Sequence, residues 1–212
     1  MTDSPTPVRV TRRRSHTRAR LLDAGFAVFA ARGFGQARIE EVCEAAGFTR
    51  GAFYSNFDTL EELFFALYQQ RAQQALDRVV TALAEGEGRR RDVPELIDRV
   101  VDALSVDREW LLVKTDFALH AARTPAVAAV WAAHRDGLRA TLARSLQAVV
   151  DTSALPGSLR TADGLARVLI AVHEGTLLEL MIDADHGSVR DRLVDVFTAL
   201  LAPPGPARRR SG

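Results

Sequence analysis

One cysteine in 212 residues, Cys43, leaves no partner for an internal disulfide and makes a cysteine-based zinc site untenable. That scarcity fits a reducing compartment, and the position of Cys43 on an apolar helical stripe fits a small core hydrophobe better than a redox sensor. The chain also lacks an apolar leader segment at its start and any uninterrupted apolar run long enough to cross a bilayer, so a soluble cytoplasmic protein is expected. Period-two alternation of useful length is absent too, which argues against a sheet. No phosphate loop, HExxH or nucleophile elbow occurs. Lysine is nearly missing: Lys114 stands alone beside a large arginine excess, read as a composition bias rather than chemistry.

What is present is arginine at the start and helical periodicity almost everywhere. The formal net charge is only +1, yet Arg9, Arg12, Arg13, Arg14, Arg18 and Arg20 crowd the first residues against Asp3 alone before Asp23. Local rather than total charge is what a phosphate backbone meets. Residues 1–14, with prolines and no helical period, read as a flexible basic arm, either a DNA contact through residues such as Arg14 or a solvated tail. A first helix is expected from about Ser15 to Ala31, with Leu22, Phe26 and Phe29 on one face and Gly33 as its stop.

The stretch from Ile39 to Phe57 carries the sharpest signal. Ile39, Val42, Cys43 and Ala46 form the stripe of a short helix, and Gly47 ends it. Thr49 suits the N-cap of a second helix, which buries Phe53 and Phe57. Two short helices about a glycine turn make a helix-turn-helix or an ordinary core hairpin. If Phe53 and Phe57 face inward, Arg50, Gly51, Tyr54, Ser55 and Asn56 face outward, a set able to approach a groove, bond guanine and bond phosphates. Arg38, just before the first of these helices, sits where free amides favour a phosphate, or is a plain surface charge.

The run GFTRGAFYSNFDTLEELF, preceded by LLDAGFAVFAARGFGQARIEEVCEAA, resembles the N-terminal domain of the tetracycline-repressor (TetR) family over about Arg18 to Leu67. The resemblance implies that Thr49, Arg50, Gly51 and Ala52 face the major groove while Tyr54 and Asn56 contact the backbone. Family members often carry a lysine near the start of the fourth helix that reaches a phosphate. Here that position is Leu60, so one such contact is missing.

From about Thr59 a long helix follows, broken by GEGRRRD at 86–92, and further helices are expected at 94–105, 107–122, 125–151, 162–183 and 188–202, separated by the loop TSALPGSLRT and an HGS turn. The expectation is an all-α chain of about nine helices. A helix-turn-helix domain at 15–60 is followed by a larger helical domain at 61–202 for effector binding and dimerisation, and by a disordered tail at 203–212.

In the larger part Trp110, Phe117, His120, Trp131, His134, His173 and Glu174 come from three helices, the manner in which bundle pockets are built, although a histidine on an apolar stripe also serves as a core residue. The family resemblance implies a small-molecule effector there. The segment at 165–182 is apolar on two faces, so that Val168, Gly175, Leu178 and Ile182, with Leu193, Val196, Phe197 and Leu200 of the last helix, can face a second copy. The other reading is a fully buried central helix. A homodimer on a palindromic double-stranded DNA operator follows from the resemblance, as a repressor released by its effector. DNA binding without an effector is the alternative. An enzyme using His173 and Glu174, or a metal at Asp183, Asp185 and His186, has no supporting motif, and neither catalytic residues, metal nor cofactor are expected.

Overall fold

The computed structural model describes residues 7–84, 93–104, 108–153, 155–182 and 186–201. They are all-α, with no strand among the described residues. The helices are α1 (Pro7–Arg32), α2 (Ile39–Ala46), α3 (Arg50–Tyr54), α4 (Leu60–Ala84), α5 (Val93–Ala103), α6 (Arg108–Arg123), α7 (Pro125–Val149), α8 (Ala162–Ile182) and α9 (His186–Leu201), with short 3-10 turns at Phe34–Gln36 and Gly157–Arg160. The GEGRRRD loop and the tail at 203–212 fall outside the described residues.

α1 begins at Pro7, so residues 7–14 are helix rather than arm. Proline is pre-organised for a first turn, and the stretch that follows has neither glycine nor proline until Gly25. The apolar stripe is confined to the second half, where Leu21, Leu22, Ala24, Val28 and Phe29 are buried. Periodicity therefore marked only this part of the helix. α9 likewise starts at His186, so HGS is its first turn and not a separate connection.

Chain packing divides the molecule into two compact units, one of residues 1–71 and 109–131 and the other of residues 72–108 and 132–212. The division does not fall at the linear boundary near residue 60, because α6 and the start of α7 cluster with the N-terminal helices. The first unit has an aromatic core. Phe29, Phe53, Phe57, Phe64 and Phe117 are fully buried, and Phe64 stacks on Phe117 with ring centroids 3.6 Å apart. Phe34 meets Phe117 edge-on at 4.7 Å, and the Arg71 guanidinium lies over the rings of Phe26 and Trp110. Such ring pairs add to area burial through their quadrupoles. α1 and α4 approach so closely at Gly25 that a Cβ there would collide with the fully buried Leu63 side chain.

The second unit has an aliphatic core of Ile97, Val101, Leu146, Leu155, Leu165, Ala166, Leu169, Leu193 and Phe197. On its surface Arg190 joins α9 to α5 through Asp98 (3.0 Å) and Asp102 (2.8 Å).

Candidate nucleic-acid interface

The α2–α3 hairpin is built from local signals. Val42, Cys43 and Ala46 bury one face of α2, and burial pushes the Cys43 thiol up, which keeps it protonated. Gly47 then takes the left-handed conformation (φ 68°, ψ 36°) and its amide, with that of Phe48, returns to the carbonyls of the last turn. At the other end the Glu41 carboxylate accepts from the Arg38 amide at 3.1 Å and pairs with Arg32 at 3.2 Å. Thr49 caps α3, its Oγ1 accepting from the Ala52 amide at 3.2 Å, as the spacing predicts. Phe53 and Phe57 are buried.

Opposite those rings, Arg50, Gly51 and Tyr54 are exposed, and Gly51 offers bare backbone. Arg50 is not a loose side chain. Its Nη1 lies 3.0 Å from Glu40 Oε1 across the turn, and its Nη2 donates to the Tyr54 hydroxyl at 3.3 Å. Tyr54 keeps its own O–H to donate elsewhere. Arg38 is exposed beside the start of α2, and Ala52 is half-buried.

Ser55 is exposed, as the outward reading has it, whereas Asn56 is half-buried, and both side chains bond to carbonyls of their own helix. Ser55 Oγ lies 2.8 Å from the Gly51 carbonyl and 3.1 Å from that of Ala52, so its single proton is committed to the helix. Asn56 is half-buried, donates Nδ2 to the Ala52 carbonyl at 2.8 Å, and buries an Oδ1 that a phosphate would repel. Both close the C-terminus of α3 rather than extend toward a ligand. The backbone carbonyls left there are taken by α1: Arg14 Nη2 donates to Ser55 O at 3.2 Å, and Arg18 Nη1 to Asn56 O at 3.1 Å, with the Arg18 guanidinium over the Phe57 ring at 4.3 Å. Arg14 thus belongs to a helix docked on the hairpin. Glu40 and Arg18 were not picked out from the sequence, since their partners lie 10 and 38 positions away and no periodicity links them.

The seven candidate effector residues are divided between the units. Trp110, Phe117 and Trp131 are core rings of the first unit, Phe117 and Trp131 with centroids 4.9 Å apart. His120, in the same unit, lies 3.2 Å from Glu61 and against Phe34. Asp116 accepts from the Phe34 amide just beyond the Gly33 turn. In the second unit His134 is half-buried, His173 Nε2 lies 3.2 Å from the Leu104 carbonyl, and Glu174 pairs with Arg135 at 2.7 Å. His173 and Glu174 therefore use different partners, contrary to a paired acid and base. Among the described residues no group of three His, Cys, Asp or Glu side chains could hold a metal ion. Asp183 and Asp185 fall outside those residues, as does the side chain of His186.

The candidate dimer residues also separate. Leu193 and Phe197 are buried in the second unit's own core, with Leu200 packed against it, and so are not available to a partner. The α9 stripe was assigned to a second copy, but α5 and α8 already cover its Leu193 and Phe197. Val168 is half-buried, Gly175 opens onto free space, and Leu178 and Val196 are exposed; the Ile182 side chain falls outside the described residues.

Two short helices about a left-handed glycine, the second capped by Thr49, form a helix-turn-helix. Residues 21–67 match the family model of bacterial regulatory proteins of the tetR family. Three solved structures share the fold. A TetR-family regulator from Mesorhizobium loti is 20% identical, with TM-score 0.66 and coverage of 88% of this chain and 97% of the other. A second regulator of that family, from Rhodococcus sp., is 21% identical, with TM-score 0.69 and coverage of 89% and 100%. The multidrug binding protein EbrR, complexed with imidazole, is 26% identical, with TM-score 0.60 and coverage of 90% and 91%. Residues 21–67 therefore match a tetR-family regulatory domain, and the chain as a whole shares the fold of the TetR-family regulators to which it is similar. No helix among the described residues is long and apolar enough to cross a membrane.

Proposed function

We propose that this regulator is a homodimeric repressor that occupies a palindromic operator and leaves it when a small molecule binds. The observation that carries the DNA-binding part is the exposed Arg50–Gly51–Tyr54 face of a helix whose other side is anchored by Phe53 and Phe57. Arg50 reads a base in the major groove, and Thr49, Gly51 and Ala52 bring the backbone close. Tyr54, Arg38 and Arg14 contact phosphates.

Two observations support a small-molecule response. EbrR is named a multidrug binding protein and holds imidazole. Here the indole N–H of Trp131 is buried with no acceptor within reach among the described residues, a group that a ligand acceptor would satisfy. A regulator without an effector is favoured instead by the close packing of Phe64, Phe117 and Trp131, which fill their own space. Titrating the purified protein with a panel of planar aromatic compounds, with Trp fluorescence and operator release as readouts, separates the two. Release by any compound that quenches Trp131 supports the effector reading, and quenching without release supports the other.

The main test is Arg50→Ala on an operator sequence selected by the wild-type protein from random duplexes. Discrimination against a substituted guanine should fall by about 1–3 kcal/mol. Unchanged base preference would remove Arg50 from base recognition.

A further inference from the structure

We infer that Glu40 is a positioning residue for base recognition, its carboxylate holding the Arg50 guanidinium in the orientation that meets the major-groove edge of guanine. This rests on the DNA-binding reading above. Glu40 is the second residue of α2 and Arg50 the first of α3, so their 3.0 Å pair spans the turn on the exposed side of the hairpin. Both side chains are more than half exposed (56% and 61%), and neither belongs to the core. An ion pair so exposed adds little to folding. An acid on a surface that meets phosphates also weakens binding to every DNA sequence alike. Its benefit lies in orientation.

An arginine on a five-residue helix, free in water, samples many rotamers and loses them on binding a base. Here the guanidinium is fixed from two sides, by Glu40 through Nη1 and by Tyr54 through Nη2. These contacts use two of its five N–H donors. The three that remain suffice for guanine O6 and N7, whereas adenine presents an amino donor where O6 would be and opposes them. A guanidinium held in place cannot swing aside to accommodate adenine, so the restraint sharpens discrimination more than it strengthens binding.

The test selects duplexes from a library with a randomised centre, using the full-length wild type and the Arg50→Ala, Glu40→Ala and Glu40→Gln variants, with thermal unfolding as the folding control. Arg50→Ala should lose its guanine preference at a single position of the half-site. Glu40→Ala should relax the preference at that same position roughly tenfold, keep the unfolding midpoint, and bind unrelated duplex more tightly. Glu40→Gln, which keeps an acceptor but no charge, should retain part of the preference. An unchanged profile for Glu40→Ala overturns the inference. So does a change at a position Arg50→Ala leaves alone, since Glu40 would then be reading a base itself. If the wild type enriches no sequence, the DNA-binding reading fails first; if only Arg50→Ala is silent, the arginine's role fails while DNA binding stands.

Discussion

Removing the Arg18 guanidinium should have two separable effects. It donates to the Asn56 carbonyl and covers the Phe57 ring, so Arg18→Ala exposes the C-terminal end of α3 and one face of a core ring. A charged hydrogen bond and a cation–π contact of this partly exposed kind should together be worth about 1–2 kcal/mol, measurable as a lower urea midpoint. Operator binding should weaken while the slope of affinity against salt is retained, because no phosphate contact is lost. Arg14→Ala provides the contrast. Its guanidinium holds the Ser55 carbonyl from an exposed position and has further donors to spare, so removing it should lower the salt slope by about one and weaken binding to all sequences alike. Equal salt slopes for both variants and the wild type would make Arg14 a positioning residue as well.

At the scale of elements, close helix contacts should decide which glycines tolerate a side chain. Gly25→Ala drives a Cβ into Leu63, fully buried between α1 and α4, and should cost about 1–3 kcal/mol as the helices are pushed apart. Gly137, inside α7 with nothing within 4 Å of its added Cβ, should behave oppositely, Gly137→Ala gaining about 0.5–1 kcal/mol from helix propensity. Chemical denaturation of the two variants checks both signs. The same distinction marks what could be read in advance. The α2 stripe, the Gly47 stop, the Thr49 cap and the buried Phe53 and Phe57 are local features, written in consecutive residues. The start of α1 was not, because its first residues, PVRVTRRR, carry no apolar period. The α9 stripe was legible as an apolar face, yet amphipathicity identifies a face and not what covers it, and Leu193 and Phe197 were assigned to a second copy where α5 and α8 pack instead. Ser55 and Asn56 were assigned by direction alone, which misses the competition of carbonyls in the last turn of their own helix for the side-chain donors.

At the scale of the whole molecule, the proposed dimer must now rest on the residues left exposed. α8 presents Ala171, Gly175 and Leu178, the last 48% exposed, and α9 presents Val196 at 38%, beside the Arg192–Glu179 pair at 2.7 Å. A small residue at Gly175 lets a partner helix approach, and apolar side chains to either side supply area to bury. Leu178→Glu adds a carboxylate next to Glu179 on that face without entering the chain's own core. Sedimentation should therefore find a monomer with helical content unchanged. The variant should still bind a single half-site weakly through its intact hairpin, but lose the gain in affinity that two linked hairpins obtain on a palindrome, which for two sites at a high effective concentration amounts to roughly a hundredfold or more. The effector proposal is tested by the same protein. If the small molecule acts by shifting the separation of two hairpins, a monomer bound to one half-site has no separation to shift, and the compound should no longer change its affinity for DNA. Continued release of the monomeric variant would show that the compound acts within a single chain, and an unchanged mass for Leu178→Glu would move the interface away from α8.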